Sequence, residues 1–80
     1  SGDLELWRLA RQQEFILMLY FYGECTKYGM RAQAKTIQKQ LQACRKEIKA
    51  SGLSKSEMAK FRLFWSCPFL YGWLKKRKRG

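Results

Sequence analysis

The chain has 80 residues, of which 46% are hydrophobic and 15% aromatic, and it carries a formal net charge of +11. This composition excludes disorder of the whole chain, and the length excludes several domains or a large core. Only one proline and six glycines are present. Because long stretches contain no helix breaker, we predict an all-α fold.

The positive charge is concentrated in the second part of the chain. Residues 1–29 have a net charge of −1, whereas residues 30–80 have a net charge of +12. An ordinary solvated surface is one explanation, but solubility does not require so one-sided an excess. We therefore expect residues 1–29 to build core or an interface and residues 30–80 to bind a polyanion.

Catalysis and metal binding lack the residues they need. The chain has no histidine, its six acidic residues are scattered, and Cys25, Cys44 and Cys67 form no close pair. Zinc sites use four ligands at short paired spacings, and a cysteine nucleophile needs a base beside it. We predict that the protein is not an enzyme, that it has no cofactor or metal, and that small buried thiols place it in a reducing intracellular compartment. No signal peptide is recognisable, and we expect Ser1-Gly2 to be a remnant of cleavage.

The first predicted helix runs from about Leu4 to Tyr22, with Asp3 as its N-cap and Gly23 as the residue that ends it. Its second half, Phe15–Tyr22, is apolar on every side. Eight residues are too few to cross a bilayer, and a helix that is apolar all round must be covered all round. Because a domain of this size can hardly do that alone, we expect a partner subunit.

The second predicted helix follows a loop at Gly23–Gly29 and extends to Ser51-Gly52. One side repeats apolar residues at steps of four and three, a heptad seam that suits core packing or dimerisation. Another side repeats basic residues at the same steps, and only Glu47 opposes them, whereas solvated faces usually mix both signs. The apolar seam comprises Met30, Ala34, Ile37, Leu41, Cys44 and Ile48. The basic edge comprises Lys35, Lys39, Gln42, Lys46 and Lys49, flanked by Arg31 and Arg45.

The third predicted helix has the most specific start signal in the chain. Ser54–Glu57 is a capping box, and Leu53 and Met58 are spaced as its hydrophobic staple. Gly52 suits the left-handed position that ends the preceding helix. We predict a helix over about Lys55–Ser66.

The same segment, Gly52–Phe61, resembles the turn and second helix of the helix-turn-helix DNA-binding motif. The preceding helix departs from that motif. Glu47 and Ser51 occupy positions that are normally apolar, and Ile48 occupies one that is usually small. The capping box and staple explain these residues without DNA, so the motif is kept as an alternative.

The C-terminal segment combines an uncharged run, Leu63–Leu74, with five consecutive cations, Lys75–Arg79. The residue before a proline is pushed out of helical geometry, so the third helix should be interrupted at Cys67. Proline is favoured at the first position of a helix, so we expect Pro68 to start a fourth, short helix to about Lys78. Twelve residues with a proline and a glycine among them cannot span a bilayer. We expect the uncharged run to be core or interface and the cations to form a mobile basic tail.

Two further interpretations of this segment remain open. Trp65 and Trp73 before a polybasic cluster fit an anchor at the surface of an anionic membrane, which is our second choice. The cations Lys75–Lys78 also fit a nuclear import signal.

Lys and Arg that repeat along a helix can follow a phosphate backbone, and a lysine-rich edge offers few groups that read bases. Two such helices in a dimer suit a duplex recognised by its shape, as double-stranded RNA is. Binding of single strands would instead need exposed aromatic side chains among the cations, although most of them are expected in the core. The aromatic candidates are Phe64, Trp65, Phe69, Tyr71 and Trp73.

We predict one helical domain over residues 1–74, made of three long helices and a short C-terminal helix and completed by homodimerisation, with a basic tail at residues 75–80. The predicted function is non-enzymatic, largely sequence-independent binding of nucleic acid, RNA ahead of DNA, a property that would suit a viral or mobile-element protein. The alternatives are a module or inhibitor that binds an acidic partner protein, and a peripheral membrane protein. The predicted nucleic-acid contacts are Arg31, Lys35, Lys39, Arg45, Lys46, Lys49, Lys75, Lys76, Arg77, Lys78 and Arg79.

Overall fold

The protein is all-α, as predicted. A computed structural model describes the backbone of residues 2–78 and the side chains of residues 2–74, and all the regular structure in this range is helical. The prediction of three long helices and one short helix differs from this structure, because the second predicted helix is divided in two. In chain order the helices are α1 (Gly2–Lys27), α2 (Arg31–Ala43), α3 (Arg45–Ala50), α4 (Lys55–Ser66) and α5 (Pro68–Lys78).

Helix α1 begins at Gly2 and continues past Gly23 to Lys27, so the predicted N-cap at Asp3 and the predicted end at Gly23 are wrong. Of the predicted loop at residues 23–29, only Tyr28 and Gly29 lie outside the helix. Gly23 lies buried inside the helix. The helix ends instead in a Schellman motif, in which the Met30 N–H donates to the Cys25 carbonyl at 2.8 Å and the Gly29 N–H donates to the Thr26 carbonyl at 3.3 Å. Gly29 takes the left-handed conformation, with φ of 74°. A glycine inside a helix costs only about 1 kcal/mol, which the packing of a buried helix offsets.

The second predicted helix is interrupted at Cys44. This residue has φ of −94° and ψ of 13°, which separates α2 from α3. The hydrogen-bond ladder nevertheless passes through it, because the Cys44 N–H donates to Gln40 at 3.0 Å and the Ile48 N–H donates to the Cys44 carbonyl at 2.9 Å. The apolar seam therefore continues from α2 into α3.

The predicted start of α4 is confirmed. The Ser54 hydroxyl accepts a hydrogen bond from the Glu57 N–H at 3.3 Å, and Gly52 is left-handed, with φ of 82°. The predicted bounds of α4, and the predicted start of α5 at Pro68, are also those of the structure. Local signals alone therefore account for this part of the fold.

The core draws apolar side chains from all five helices. At its centre the rings of Tyr22, Phe64 and Tyr71 bring α1, α4 and α5 together. The centroid distances are 4.8 Å for Tyr22–Phe64, 6.0 Å for Phe64–Tyr71 and 6.2 Å for Tyr22–Tyr71. Phe64 meets both tyrosines edge-on, a favourable arrangement for aromatic pairs. The buried residues of the core are Phe15, Leu19, Tyr22, Ala34, Leu41, Ile48, Phe61, Phe64 and Tyr71.

Helix α1 is buried along only part of its length. Its 26 residues extend about 39 Å, close to the longest dimension of the molecule, 44 Å. Phe15 and Tyr22 lie in the core as their spacing suggests, but every residue from Gly2 to Ala10 is exposed. Large apolar side chains are exposed in both halves of the helix: Leu4, Leu6, Trp7, Leu9, Leu17, Tyr20 and Phe21.

Helix α5 packs closely on α1 through a glycine. A Cβ atom at Gly72 would lie 2.7 Å from the Thr26 Cγ2, so no larger residue fits without displacement. The opposite side of α5 is apolar and exposed: Phe69 is 87% exposed, and Leu70, Trp73 and Leu74 are also exposed. Leu63–Leu74 was expected to be core or interface: Phe64 and Tyr71 lie in the core, whereas the outer side of α5 does not, and its role as an interface stays a prediction. Among residues 2–78, no helix has the length and apolar character needed to cross a membrane.

Candidate nucleic-acid interface

Six of the predicted nucleic-acid contacts lie on α2 and α3, and all six side chains are exposed. On the same two helices Ala34, Leu41 and Ile48 are buried in the monomer, while Ile37 and Cys44 are partly buried. Met30, at the start of the predicted seam, is exposed. The seam is thus largely occupied within one chain, which leaves the cations facing solvent. We call these six residues the basic stripe: Arg31, Lys35, Lys39, Arg45, Lys46 and Lys49.

The cations of the basic stripe are not paired with acidic side chains of the described chain. In the part of the chain that the structure describes, none of its cations forms an ion pair. Glu47, the one acidic residue among them in sequence, accepts a hydrogen bond from Arg11 of α1 at 2.6 Å. That hydrogen bond raises the pKa of the Arg11 guanidinium above its ordinary value, and Glu14, at 2.8 Å from Arg11, acts in the same direction. Glu47 therefore pairs with Arg11 of α1 and not with a cation of the stripe.

The remaining acidic residues of the described chain pair with cations outside the stripe or lie at the start of α1. Glu24 pairs with Lys27 at 3.9 Å and Glu57 pairs with Lys60 at 3.4 Å. Asp3 and Glu5 lie in the first turn of α1, where the helix dipole favours negative charge. Uncompensated positive charge of this kind attracts a polyanion, and its attraction falls as salt rises.

A groove between α3 and α4 joins two members of the stripe to Trp65, one of the aromatic candidates, and to Arg62, which the sequence did not indicate. It has a volume of about 520 Å³ and is lined by Arg45, Lys49, Met58, Arg62, Trp65 and Ser66. The Arg45 guanidinium lies 5.2 Å from the centroid of the Trp65 ring, a cation–π contact. Arg62 was not predicted as a site residue from the sequence, because it lines the same groove as Arg45 and Lys49 only in the folded chain. The available signal was the spacing of Arg62 and Trp65, which puts both on one side of α4.

The five aromatic candidates fall into three environments. Phe64 and Tyr71 are buried in the core, and burial raises the pKa of the Tyr71 phenol to about 12. Phe69 and Trp73 are exposed on α5. Trp65 alone is half-buried beside cations of the stripe. Among the side chains that the structure describes, Trp65 therefore combines an aromatic ring with neighbouring cations of the stripe in the way that nucleic-acid sites use them.

The basic tail is described only in part. The backbone of α5 continues to Lys78, so Lys75–Lys78 extend that helix. Their side chains, and Arg79, lie outside the described residues. The prediction that these five cations contact nucleic acid therefore rests on their charge alone.

The three cysteines are free thiols. Cys25 and Cys44 are partly buried, whereas Cys67 is exposed, so the expectation of buried thiols is wrong for Cys67. Cys67 is the residue before Pro68, where the helical run is interrupted, and this position leaves it at the surface. Within the described residues, no three cysteine or acidic side chains are grouped as metal ligands would be.

Comparison with known proteins gives no relative: no protein-family model, no curated protein and no solved structure matches this chain.

Proposed function

We propose that the protein is a non-enzymatic nucleic-acid-binding protein that contacts the phosphate backbone without reading base sequence, and that it prefers RNA to DNA. The observation that carries this proposal is the basic stripe, six exposed cations on α2 and α3 with no ion-pair partner in the described part of the chain. Four of the six are lysines, which bind phosphates as point charges rather than base edges in a fixed geometry. Sequence-independent binding follows from this composition.

In this proposal two copies associate through α1. Leu6, Leu9, Gln13, Leu17 and Tyr20 follow one another at steps of three and four and are all exposed, and we call them the α1 outer seam. None of them is charged, whereas each chain as a whole carries +11. Two chains with this charge repel each other, and the repulsion is smallest where they meet through the uncharged seam. A dimer formed there presents two basic stripes, a geometry that suits the regular shape of an A-form duplex.

The binding test is fluorescence polarisation of duplex RNA, duplex DNA and single-stranded RNA across a salt series. The triple variant Lys35/Lys39/Lys46→Ala should weaken duplex binding and reduce the slope of log K against log salt by about 2 to 3, near one unit for each lost phosphate contact. The matched control, Arg8/Lys55/Lys60→Ala, removes the same number of exposed charges outside the stripe and should change the slope little. Equal slopes for the two variants would contradict the proposal.

The dimer is tested by sedimentation equilibrium. Leu9→Glu/Leu17→Glu puts charge into the α1 outer seam at exposed positions and should convert a dimer to a monomer with unchanged helicity. Gln33→Glu/Gln40→Glu makes the same change of net charge on exposed residues of α2 and should leave the mass as it was. A wild-type protein that is monomeric at all accessible concentrations would refute the dimer and leave the stripe untouched.

A second candidate function is docking on an anionic membrane surface, and the outer side of α5 favours it. Phe69, Leu70, Trp73 and Leu74 are exposed together on one helix, and the sequence continues from them directly into Lys75–Arg79. Apolar side chains beside a polybasic cluster bind anionic lipid by both attractions at once. Phe69→Ser/Trp73→Ser should abolish co-sedimentation with phosphatidylserine vesicles while leaving RNA binding intact, and retained co-sedimentation would exclude this candidate.

The proposed location is a reducing compartment, with the nucleus as the favoured one. Three free thiols and the run Lys75–Lys78 support it. A fluorescent fusion should lose nuclear accumulation when these four cations are changed to glutamine, and unchanged accumulation would argue against an import signal.

A further inference from the structure

We propose that the α3–α4 groove binds one unpaired nucleotide of the nucleic acid, with its base on Trp65 and its phosphate on the surrounding cations. This inference rests on the proposed function and adds a second contact to it. The basic stripe holds a duplex by its backbone, and the groove takes a nucleotide that is not in the duplex, such as one in an overhang or a loop.

The composition of the groove suits an anionic aromatic ligand. Half of the residues that line it are cations, Arg45, Lys49 and Arg62, and none is acidic. Its volume of about 520 Å³ falls in the range of sites for small molecules and cofactors, about 300 to 1,000 Å³. Met58 contributes a flexible apolar wall and Ser66 a hydroxyl that can donate or accept a hydrogen bond. A metal ion is excluded as the occupant, because three positive charges would repel it.

Trp65 gives the groove a firm aromatic surface. Its ring lies 5.6 Å from the ring of Phe61, which is fully buried, so the indole is supported by the core. Its indole N–H is buried and has no hydrogen-bond partner among the described residues. The Arg45 guanidinium, 5.2 Å from the centroid of the ring, is a planar cation of the kind that stacks on bases. A base placed against Trp65 would thus meet an aromatic ring and a planar cation together.

The charges fix where the phosphate of that nucleotide would lie. Lys49 and Arg62 come from different helices, α3 and α4, and both line the groove, so the backbone of an unpaired strand can enter between them. A duplex keeps its bases stacked and cannot offer one to Trp65 without unstacking it. The groove therefore distinguishes a duplex with an unpaired end from a blunt duplex, a distinction that the basic stripe alone does not make.

The experiment compares a blunt RNA duplex with the same duplex carrying a short overhang that contains 2-aminopurine. Stacking of one base on an aromatic side chain should make the overhang duplex bind about fivefold to a hundredfold tighter and should quench the 2-aminopurine fluorescence. Both effects should disappear in Trp65→Leu, with helicity checked by circular dichroism. Arg62→Ala, at an exposed position where folding is not in question, should reduce the preference for the overhang while blunt-duplex affinity falls only slightly.

Matched controls separate the groove from the rest of the surface. Trp73→Leu makes the same chemical change on α5, and Lys55→Ala removes an exposed cation from the first turn of α4. Neither should alter the overhang preference. Quenching that depends on Trp73 instead of Trp65 would overturn the assignment to the groove.

The outcomes distinguish this inference from the proposed function. Equal affinity for blunt and overhang duplexes without quenching overturns the inference and leaves the basic stripe standing. Failure of the protein to bind either duplex overturns both. Displacement of the overhang by inorganic phosphate as readily as by adenosine monophosphate would reduce the groove to an anion site and overturn the role of Trp65.

Discussion

The surface of α1 and α5 differs sharply from the surface of α2 to α4. Apart from Tyr28 and Met30 in the first turn between helices, the exposed large apolar side chains of the described chain all lie on α1 and α5. The helices α2 to α4 expose lysine and arginine instead, with their apolar residues in the core. One protein of 80 residues thus has one surface suited to apolar association and another suited to a polyanion. Apolar residues are therefore not all buried in this molecule. Helix α1 has apolar side chains on more sides than the rest of the chain covers.

The two phenylalanines on either side of Pro68 give the sharpest test of this difference. Phe64 is fully buried on α4, whereas Phe69 is 87% exposed on α5. Phe64→Ala should lower the free energy of unfolding by about 3 to 5 kcal/mol, because it leaves a cavity among Tyr22 and Tyr71. Phe69→Ala should change it by less than about 0.5 kcal/mol. Urea denaturation followed by circular dichroism measures both, and similar losses would mean that α5 is buried in solution.

Packing of α5 on α1 depends on Gly72. In most helix positions alanine is more stable than glycine, but Gly72→Ala places a methyl group 2.7 Å from the Thr26 Cγ2. We expect a loss of about 1 to 3 kcal/mol in the free energy of unfolding, the usual range for overpacking. Thr26→Ser removes the obstructing methyl group, so the double variant should recover part of the loss. A purely additive double variant would indicate that Gly72 matters for another reason.

The start of α4, on the cationic side of the comparison, should be sensitive to one hydroxyl. Ser54→Ala removes the acceptor for the Glu57 N–H and should cost about 1 kcal/mol of stability. Ser66, exposed at the last residue of the same helix and away from the cap, is the matched control, and its change to alanine should be within about 0.5 kcal/mol. Thermal melts of the two variants compare them directly. Equal melting temperatures would mean that the cap contributes nothing.

The smallest expected effect on stability at neutral pH concerns the phenol of Tyr71. It becomes measurable only at alkaline pH. Burial raises the pKa of its phenol to about 12, from an ordinary value near 10 in the unfolded chain. The folded state therefore keeps a proton that the unfolded state loses, so stability is unaffected below pH 10 and falls as the pH rises from 10 towards 12. Tyr71→Phe should lose stability less steeply over this window than the wild type or the exposed-site control Tyr28→Phe. Parallel curves would show that the phenol of Tyr71 is hydrated.

Features of the fold that depend on neighbouring residues in the chain could be predicted from the sequence, whereas features that depend on packing could not. Ser54 as the cap of α4, Gly52 as a left-handed residue and Pro68 as the start of α5 were all readable from neighbours in the chain. The end of α1 was not, because Gly23 and Gly29 look alike in sequence and only the Schellman hydrogen bonds to Thr26 and Cys25 distinguish them.

The candidate site shows the same division. The cations of α2 and α3 could be predicted because their spacing is helical, and their exposure followed from the apolar residues opposite. The direction of Glu47 towards Arg11, 36 residues away, could not be predicted, since it needs the packing of α1 against the rest. Nor could the groove, because Arg62 and Trp65 on α4 meet Arg45 only in the folded chain.

The uncompensated basic stripe also has a consequence for the melting behaviour of the protein. Six like charges on two short helices repel one another in the native state, and in the free protein this repulsion opposes the stabilisation that the core supplies. A polyanion that binds only the folded chain removes this repulsion and shifts the unfolding equilibrium by mass action. If the proposed binding of nucleic acid is correct, the melting temperature should therefore rise with the concentration of free nucleic acid, and the protein should be least stable without it.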